Sequence, residues 1–277
     1  MSGKMLRSSF RFNKIWIIES LDSSDTMTGT NLYNDLIRRR GEQLGYLHTE
    51  LAQVTTLADL VGLLGRIKQD VYSKAHLPFL HFEIHGNERG LVLASKELVT
   101  WVELANLIRE INIDTRNNVM VTTAVCFGGV AFTEIDPTKA APFVGIIGPF
   151  AKVHQVDIEA GFHEFFDILL SKGSFDAAFE ILNQHGEVRF HFIPSLFLFD
   201  ELWSKIIESL DNPDALRDRV YNLTFKAHAS QTNTKTIQEL VDYFTDWFTN
   251  HRDEMKDEFL DEFLMRKMEP LNYDDVS

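Results

Sequence analysis

Two short stretches of this 277-residue chain carry residue types suited to covalent chemistry. In the first, the apolar run Leu77-Pro-Phe-Leu-His-Phe-Glu-Ile closes on His85-Gly86. In the second, Val119-Met-Val-Thr-Thr-Ala-Val leads to Cys126, the chain's only cysteine, followed by Phe127, Gly128 and Gly129. A thiolate attacking a carbonyl needs a base and proton donor within hydrogen-bond reach, and an imidazole supplies both. The developing oxyanion needs backbone N–H donors clear of side chains, and the amides of Gly86 and of Cys126 itself are the candidates. Gly128 and Gly129 permit a sharp exit from the strand into a helix whose N-terminus favours negative charge. Taken singly, a strand-end cysteine reads as a small buried apolar residue, and a His before Gly as structural. Each closing an apolar strand, the two together point to a His85–Cys126 dyad.

Other constellations carry less. His81 and His85 have the HxxxH spacing of a zinc pair, but that pair forms on a helix; this segment reads as strand and offers no third ligand. No metal or cofactor is expected. There is no phosphate loop, dinucleotide fingerprint or nucleophile elbow. Gly62 and Gly65 fall inside an apolar helical pattern and do not read as a nucleotide or RNA loop. His163-Glu164 and His185-Gly186 read as helix surface and turn, and the 22 phenylalanines as core.

Composition narrows the class. Lys plus Arg number 27 and Asp plus Glu 41, a net charge of −14 that argues against binding to nucleic-acid backbones. The 44% hydrophobic and 25% charged content is that of an ordinary globular protein. A single cysteine excludes an internal disulfide and fits a reducing compartment. Residues 1–12 hold no apolar leader core, and the longest apolar stretch, 140–151, is broken by Gly145, Gly148 and two prolines. No membrane span is expected, and the expected location is cytoplasmic.

The elements that must position the dyad alternate in type. Residues 14–20 form a short β-branched run, the pattern of a strand buried on both faces. A helix is expected over 31–42, its end marked by Arg38-Arg39-Arg40 and its stop by Gly41. A weaker strand follows at 45–54, then a helix opened by a Thr56–Asp59 capping box. Residues 78–84 read as strand and 91–93 with 98–100 as a hairpin, and a second capping box at Thr100–Glu103 opens another helix. Strands at 119–125 and 142–147, helices at 158–170 and 175–183, and a strand at 187–193 complete this part. Strands separated by helices imply an α/β fold with a mostly parallel, doubly wound sheet. Such sheets place their sites at the carboxyl ends of strands, where both His85 and Cys126 fall. After Pro194 only helical spacing remains, with Ile237, Leu240, Val241, Phe244 and Phe248 on one stripe and an acid-rich end. The expected organisation is a domain at 1–194 and a helical C-terminal extension, 195–277, packed on it.

The His85-Gly86 and strand-Cys126 blocks resemble those of caspase-like cysteine proteases, a group that includes caspases, metacaspases, separase and CHAT-domain peptidases. The Gly86-Asn-Glu-Arg-Gly90 turn and the following hairpin are similar to the CHAT-type region, so compact prokaryotic members are the nearest likeness. The resemblance covers residues 14–190. It implies a caspase-like three-layer sandwich and a cysteine endopeptidase acting on a protein substrate. Some such members act in antiphage defence or beside gasdermin-like pore formers, which implies a substrate of that kind or another defence effector. The chain departs from the pattern at Ala124, where metacaspases carry Asp and caspases Gln two residues before the nucleophile. Glu19, Asp22 or Asp25, beyond the first strand, could instead supply an acidic floor for a basic substrate residue. No third catalytic member is evident. The alternative is a catalytically inactive caspase-like scaffold that binds a partner through its sheet and helical tail.

Overall fold

The computed structural model describes residues 10–132, 135–136, 139–229 and 234–269. Eight strands form one sheet: β1 (Lys14–Ser20), β2 (His48–Gln53), β3 (Pro78–Asn87), β4 (Gly90–Val92), β5 (Leu98–Thr100), β6 (Met120–Thr123), β7 (Gly145–Pro149) and β8 (Phe190–Pro194). Its main path runs β2-β1-β3-β6-β7-β8. Every pair on that path is parallel except β7 with β8, and the β4–β5 hairpin hangs antiparallel from the far end of β3. The protein is thus α/β with a mostly parallel mixed sheet.

Helices cover both faces, which is why β1 is buried along its whole length and carries β-branched residues on both sides. One face holds α1 (Thr28–Leu32), α2 (Arg38–Leu44), α5 (Gln155–Lys172) and α6 (Phe175–Leu182), with Leu32, Leu36, Phe162, Phe165 and Phe166 packed on Ile15, Ile17 and Phe79. The other holds α3 (Leu57–Lys74) and α4 (Trp101–Asp114), with Leu60, Leu64, Leu104 and Ile108 packed on Trp16, Ile18, Leu80 and Phe82. Both capping boxes, Thr56–Asp59 and Thr100–Glu103, are formed and start these two helices.

The chain passes from β8 straight into four helices, α7 (Ser195–Leu210), α8 (Pro213–His228), α9 (Ile237–Asn250) and α10 (Arg252–Phe263). Leu198, Phe199, Phe248, Met255 and Phe263 share one buried cluster with α3 and α4. The amide of Ala141 donates to the carbonyl of Phe263 at 2.8 Å, tying this extension to the loop before β7. The ends of the two expected segments, 1–9 and 270–277, lie outside the described residues.

Three local expectations need correction. The helix expected at 31–42 begins at Thr28, passes through a π turn over Tyr33–Ile37 and ends at Leu44. Gly41 does not stop it; a Cβ there would lie 2.7 Å from Thr49 Cγ2, so its smallness serves packing on β2. The stop is Gly45, at φ +70°. Arg38-Arg39-Arg40 therefore opens α2 instead of ending a helix, and Arg40 pairs with Asp167. Finally, Gly128 and Gly129 lead into a 3₁₀ turn, Gly128–Phe132, and not an α-helix.

Candidate active site

Side chains of β3 alternate between the two faces of the sheet. Leu80, Phe82 and Ile84 enter the α3–α4 core, which turns His81, Glu83 and His85 to the opposite face. The parallel ladder runs out at Ile84 beside β1 and at Phe82 beside β6. His85 and Gly86 lie just beyond, where β3 leaves the parallel sheet and pairs with β4.

Cys126 follows β6 in a tight turn closed by the Gly128 amide donating to Val125 O at 3.0 Å. Phe127 takes the left-handed corner of that turn at φ +63°. A bulky residue there costs on the order of 1–3 kcal/mol, which the surrounding packing must offset. The two motifs meet at Gly86: a Cβ on it would lie 2.3 Å from Val125 Cγ1 and 2.7 Å from Cys126 O. Only glycine lets the His85 strand and the Cys126 turn approach so closely.

His85 and Cys126 line one cleft of ≈ 110 Å³ together with Asp25, Glu83 and Ala124. His85 is 58% exposed, and its Nε2–H donates to Asp25 Oδ2 at 2.8 Å. That leaves Nδ1 as the nitrogen for proton traffic. The His85 hydrogen bond, reinforced by the Asp22 amide, holds the Asp25 carboxyl below the usual carboxylate range. The Cys126 thiol makes a weak contact with Val153 O at 3.9 Å. Among the described residues it forms no hydrogen bond with His85. The neighbouring amides of Phe127 and Gly128 are taken by Ala151 O and Val125 O, whereas no described carbonyl accepts the Cys126 N–H.

The expected substrate-binding acids divide. Asp25 and Ala124 line the cleft, while Glu19 and Asp22 do not. Glu19 is 1% exposed and accepts from the Thr30 amide at 2.9 Å and its hydroxyl at 2.6 Å, so it anchors the start of the helix over β1. Asp22 turns outward to Lys96 at 2.7 Å, and that bond lowers its pKa. Asp25 reaches the cleft, but its carboxylate is already joined to His85.

The residue missing from the sequence-based set is Glu83. It is 3% exposed and lines the cleft. Oε2 accepts from the Thr28 hydroxyl at 2.7 Å and Oε1 from His81 Nε2 at 2.9 Å. On the other side of the ring, His81 Nδ1 meets Thr122 Oγ1 at 2.7 Å, so both nitrogens of His81 are engaged. Phe162 and Phe166 close on the ring edge-on, at 4.6 and 5.2 Å. Gly29 makes room for this arrangement, since a Cβ there would lie 2.9 Å from Glu83 Cγ. The signal in the sequence was its period of two: His81, Glu83 and His85 fall on one face of an otherwise apolar strand.

No protein-family model matches the chain, and no curated protein matches it in sequence. Among the described residues no helix is long and apolar enough to cross a membrane.

Proposed function

We propose that this chain is a cysteine endopeptidase of the caspase-like kind, acting on a protein substrate through Cys126 and His85. One observation carries the reading: Cys126, His85 and the carboxylate bonded to His85 line a single cleft. It opens at the carboxyl ends of parallel strands, where open α/β sheets keep their sites. His85 Nδ1 takes the thiol proton as Cys126 Sγ attacks the scissile carbonyl. The tetrahedral oxyanion is met by the Cys126 amide, with Gly86 alongside. As it collapses, His85 gives that proton to the leaving amine, and a thioester remains on Cys126. His85 then takes a proton from water, hydroxide attacks the thioester, and the thiol is restored with release of the acid. Asp25 keeps the imidazole in the tautomer and orientation these steps require.

Proteolysis of peptide and protein substrates by the purified chain tests the reading, with Cys126→Ala and His85→Ala both expected to abolish cleavage. Turnover of small esters without peptide cleavage would instead indicate another thiol hydrolase.

A second reading, a partner-binding scaffold, draws support from α9. Tyr243, Trp247 and His251 stack along it at 6.4 and 5.5 Å, with Tyr243 exposed. Removing 252–277 would delete the buried Met255 and Phe263, so truncation cannot test this role cleanly. Tyr243→Glu changes an exposed ring that also meets Phe244 and Lys235, without removing a buried side chain. Loss of a stable complex in that variant, with turnover intact, would favour the scaffold.

A further inference from the structure

We infer that Glu19 and Glu83 are positioning residues: together they seat the first turn of α1 and so hold Asp25 within reach of His85. The inference rests on the peptidase reading and adds the parts that orient its base.

Glu19 of β1 and Glu83 of β3 are direct partners in the parallel register, and both are buried. Like charges set opposite each other on a sheet face are destabilising, and a buried carboxylate persists only when hydrogen-bonded. One short run, Thr28-Gly29-Thr30, supplies bonds to both acids. The Thr28 hydroxyl donates to Glu83 Oε2 at 2.7 Å, while the amide and hydroxyl of Thr30 donate to Glu19 at 2.9 and 2.6 Å. Between them Gly29 rests on both, since a Cβ there would lie 2.9 Å from Glu83 Cγ and 3.0 Å from Glu19 Oε1. The helix has no cap of its own: the Met27 side chain makes no capping hydrogen bond, and the first turn holds no acid. Two strand-borne carboxylates therefore serve where an N-cap side chain and a first-turn acid serve elsewhere. Glu83 is fixed from behind as well, by His81 Nε2, whose ring is held in turn by Thr122 of β6.

This seat lies where the Asp25 loop ends. The loop leaves β1 at Ser20, whose hydroxyl accepts from the Ala94 amide at 2.9 Å, and is caught again at Thr28. Asp25 stands between these anchors with its carboxylate on His85. His85 follows Glu83 on the same face of β3, so one strand carries both the ring to be oriented and an acid that anchors the orienting loop. Among the described residues neither Glu19 nor Glu83 bonds to His85 or Cys126, and both act through the loop.

The test begins with peptidyl acyloxymethyl ketones carrying arginine, leucine or aspartate before the electrophile, screened on wild type and His85→Ala. The probe with the fastest His85-dependent labelling is carried forward. Labelling of Cys126 is then timed by mass spectrometry, across probe concentrations, in Thr28→Val, Thr28→Ser, Asp25→Asn and the Thr28→Val/Asp25→Asn double variant, each shown folded by circular dichroism. Thr28→Val keeps the side chain's shape and removes the hydroxyl donor, which Thr28→Ser retains. A limiting rate roughly 10- to 100-fold lower is expected in Thr28→Val, with the half-saturating concentration little changed, because a displaced orienting group costs alignment and not binding. Thr28→Ser is expected to stay close to wild type. In the Asp25→Asn background Thr28→Val is expected to slow labelling no further, since two groups acting through one contact are not additive. A hydroxyl with a merely structural role would multiply the two losses. Should Thr28→Val fail to fold, Thr30→Val runs the same cycle on the Glu19 side. A Thr28→Val rate equal to wild type, equal losses in Thr28→Val and Thr28→Ser, or independent losses in the double variant would overturn the inference while leaving the peptidase reading standing. Labelling by none of the probes, or labelling that ignores His85→Ala, would overturn both.

Discussion

Asp25 Oδ2 accepts a hydrogen bond from His85 Nε2 at 2.8 Å, joining residues 60 positions apart in the sequence. The loop after β1 thereby sets the orientation of a ring carried by β3. Asp25 is itself fixed by the Asp22 amide at 2.9 Å, and Asp22 by Lys96 of the β4–β5 turn at 2.7 Å. The hairpin that follows His85 thus reaches back to steady its partner.

Asp25→Asn is expected to lower kcat by about 10- to 100-fold with little change in KM, because it misorients the base without removing it. Steady-state kinetics at neutral pH give the split. The sign of the pH dependence follows from the depressed Asp25 pKa. A carboxyl held below its unfolded value keeps its contribution above the usual carboxylate range and loses it as pH falls through the lowered value. Wild type should therefore keep the Asp25–His85 contact through mildly acidic pH. A kcat for Asp25→Asn equal to wild type would remove Asp25 from the centre.

Gly86→Ala tests the meeting of the two motifs. A methyl group there has no space beside Val125 and the Cys126 carbonyl. Overpacking of this kind costs about 1–3 kcal/mol, and an ångström of displacement between reacting groups costs roughly 100-fold in rate. Both a lower melting temperature and a large loss of kcat/KM are expected. Full activity in Gly86→Ala would mean that the two motifs need not lie so close.

Gly62→Ala is the counterpart. Gly62 is exposed in the middle of α3, and a Cβ there meets nothing within 4 Å. Replacing it should stabilise the fold by about 0.5–1 kcal/mol through helix propensity alone, with activity unchanged. Urea denaturation reads the difference, and a destabilised variant would contradict the open environment.

These glycines show where the sequence was legible and where it was not. The alternation of apolar runs and capped helices placed the strands, because continuous β-branched runs and Thr-x-x-Asp/Glu boxes are local signals. His85 and Cys126 were legible for the same reason, each ending such a run. The roles of Gly41, Gly86 and Gly128 were not, since each is set by a side chain or carbonyl distant in sequence or folded back on it. Glu19 was expected at the cleft and Glu83 was not singled out, for a related reason. Both sit on the same sheet face in register, and only the start of the helix lying over them decides which one meets the cleft. The antiparallel direction of β8, expected as a strand, was likewise not legible, because direction follows from the path of the connection and not from the strand's own residues.

His76 supplies a pH prediction away from the cleft. It is buried, and desolvation, helped by His48 and Lys14, pushes its pKa below the usual imidazole value against the pull of Asp70. The unfolded chain then binds the proton more readily, so stability is whole above about pH 6.5 and declines as pH falls through the lowered value. Melting temperatures between pH 7 and pH 5 should fall more steeply for wild type than for His76→Gln. Parallel curves would contradict the burial of a neutral ring.

The most direct test of the account is the rate at which Cys126 is acylated by a peptidyl electrophile in wild type and in His85→Ala, with the adduct located by mass spectrometry. A single adduct on Cys126, formed at least ~100-fold more slowly without the imidazole, is the predicted result. Equal labelling in the two proteins, or none in either, would contradict a His85–Cys126 centre.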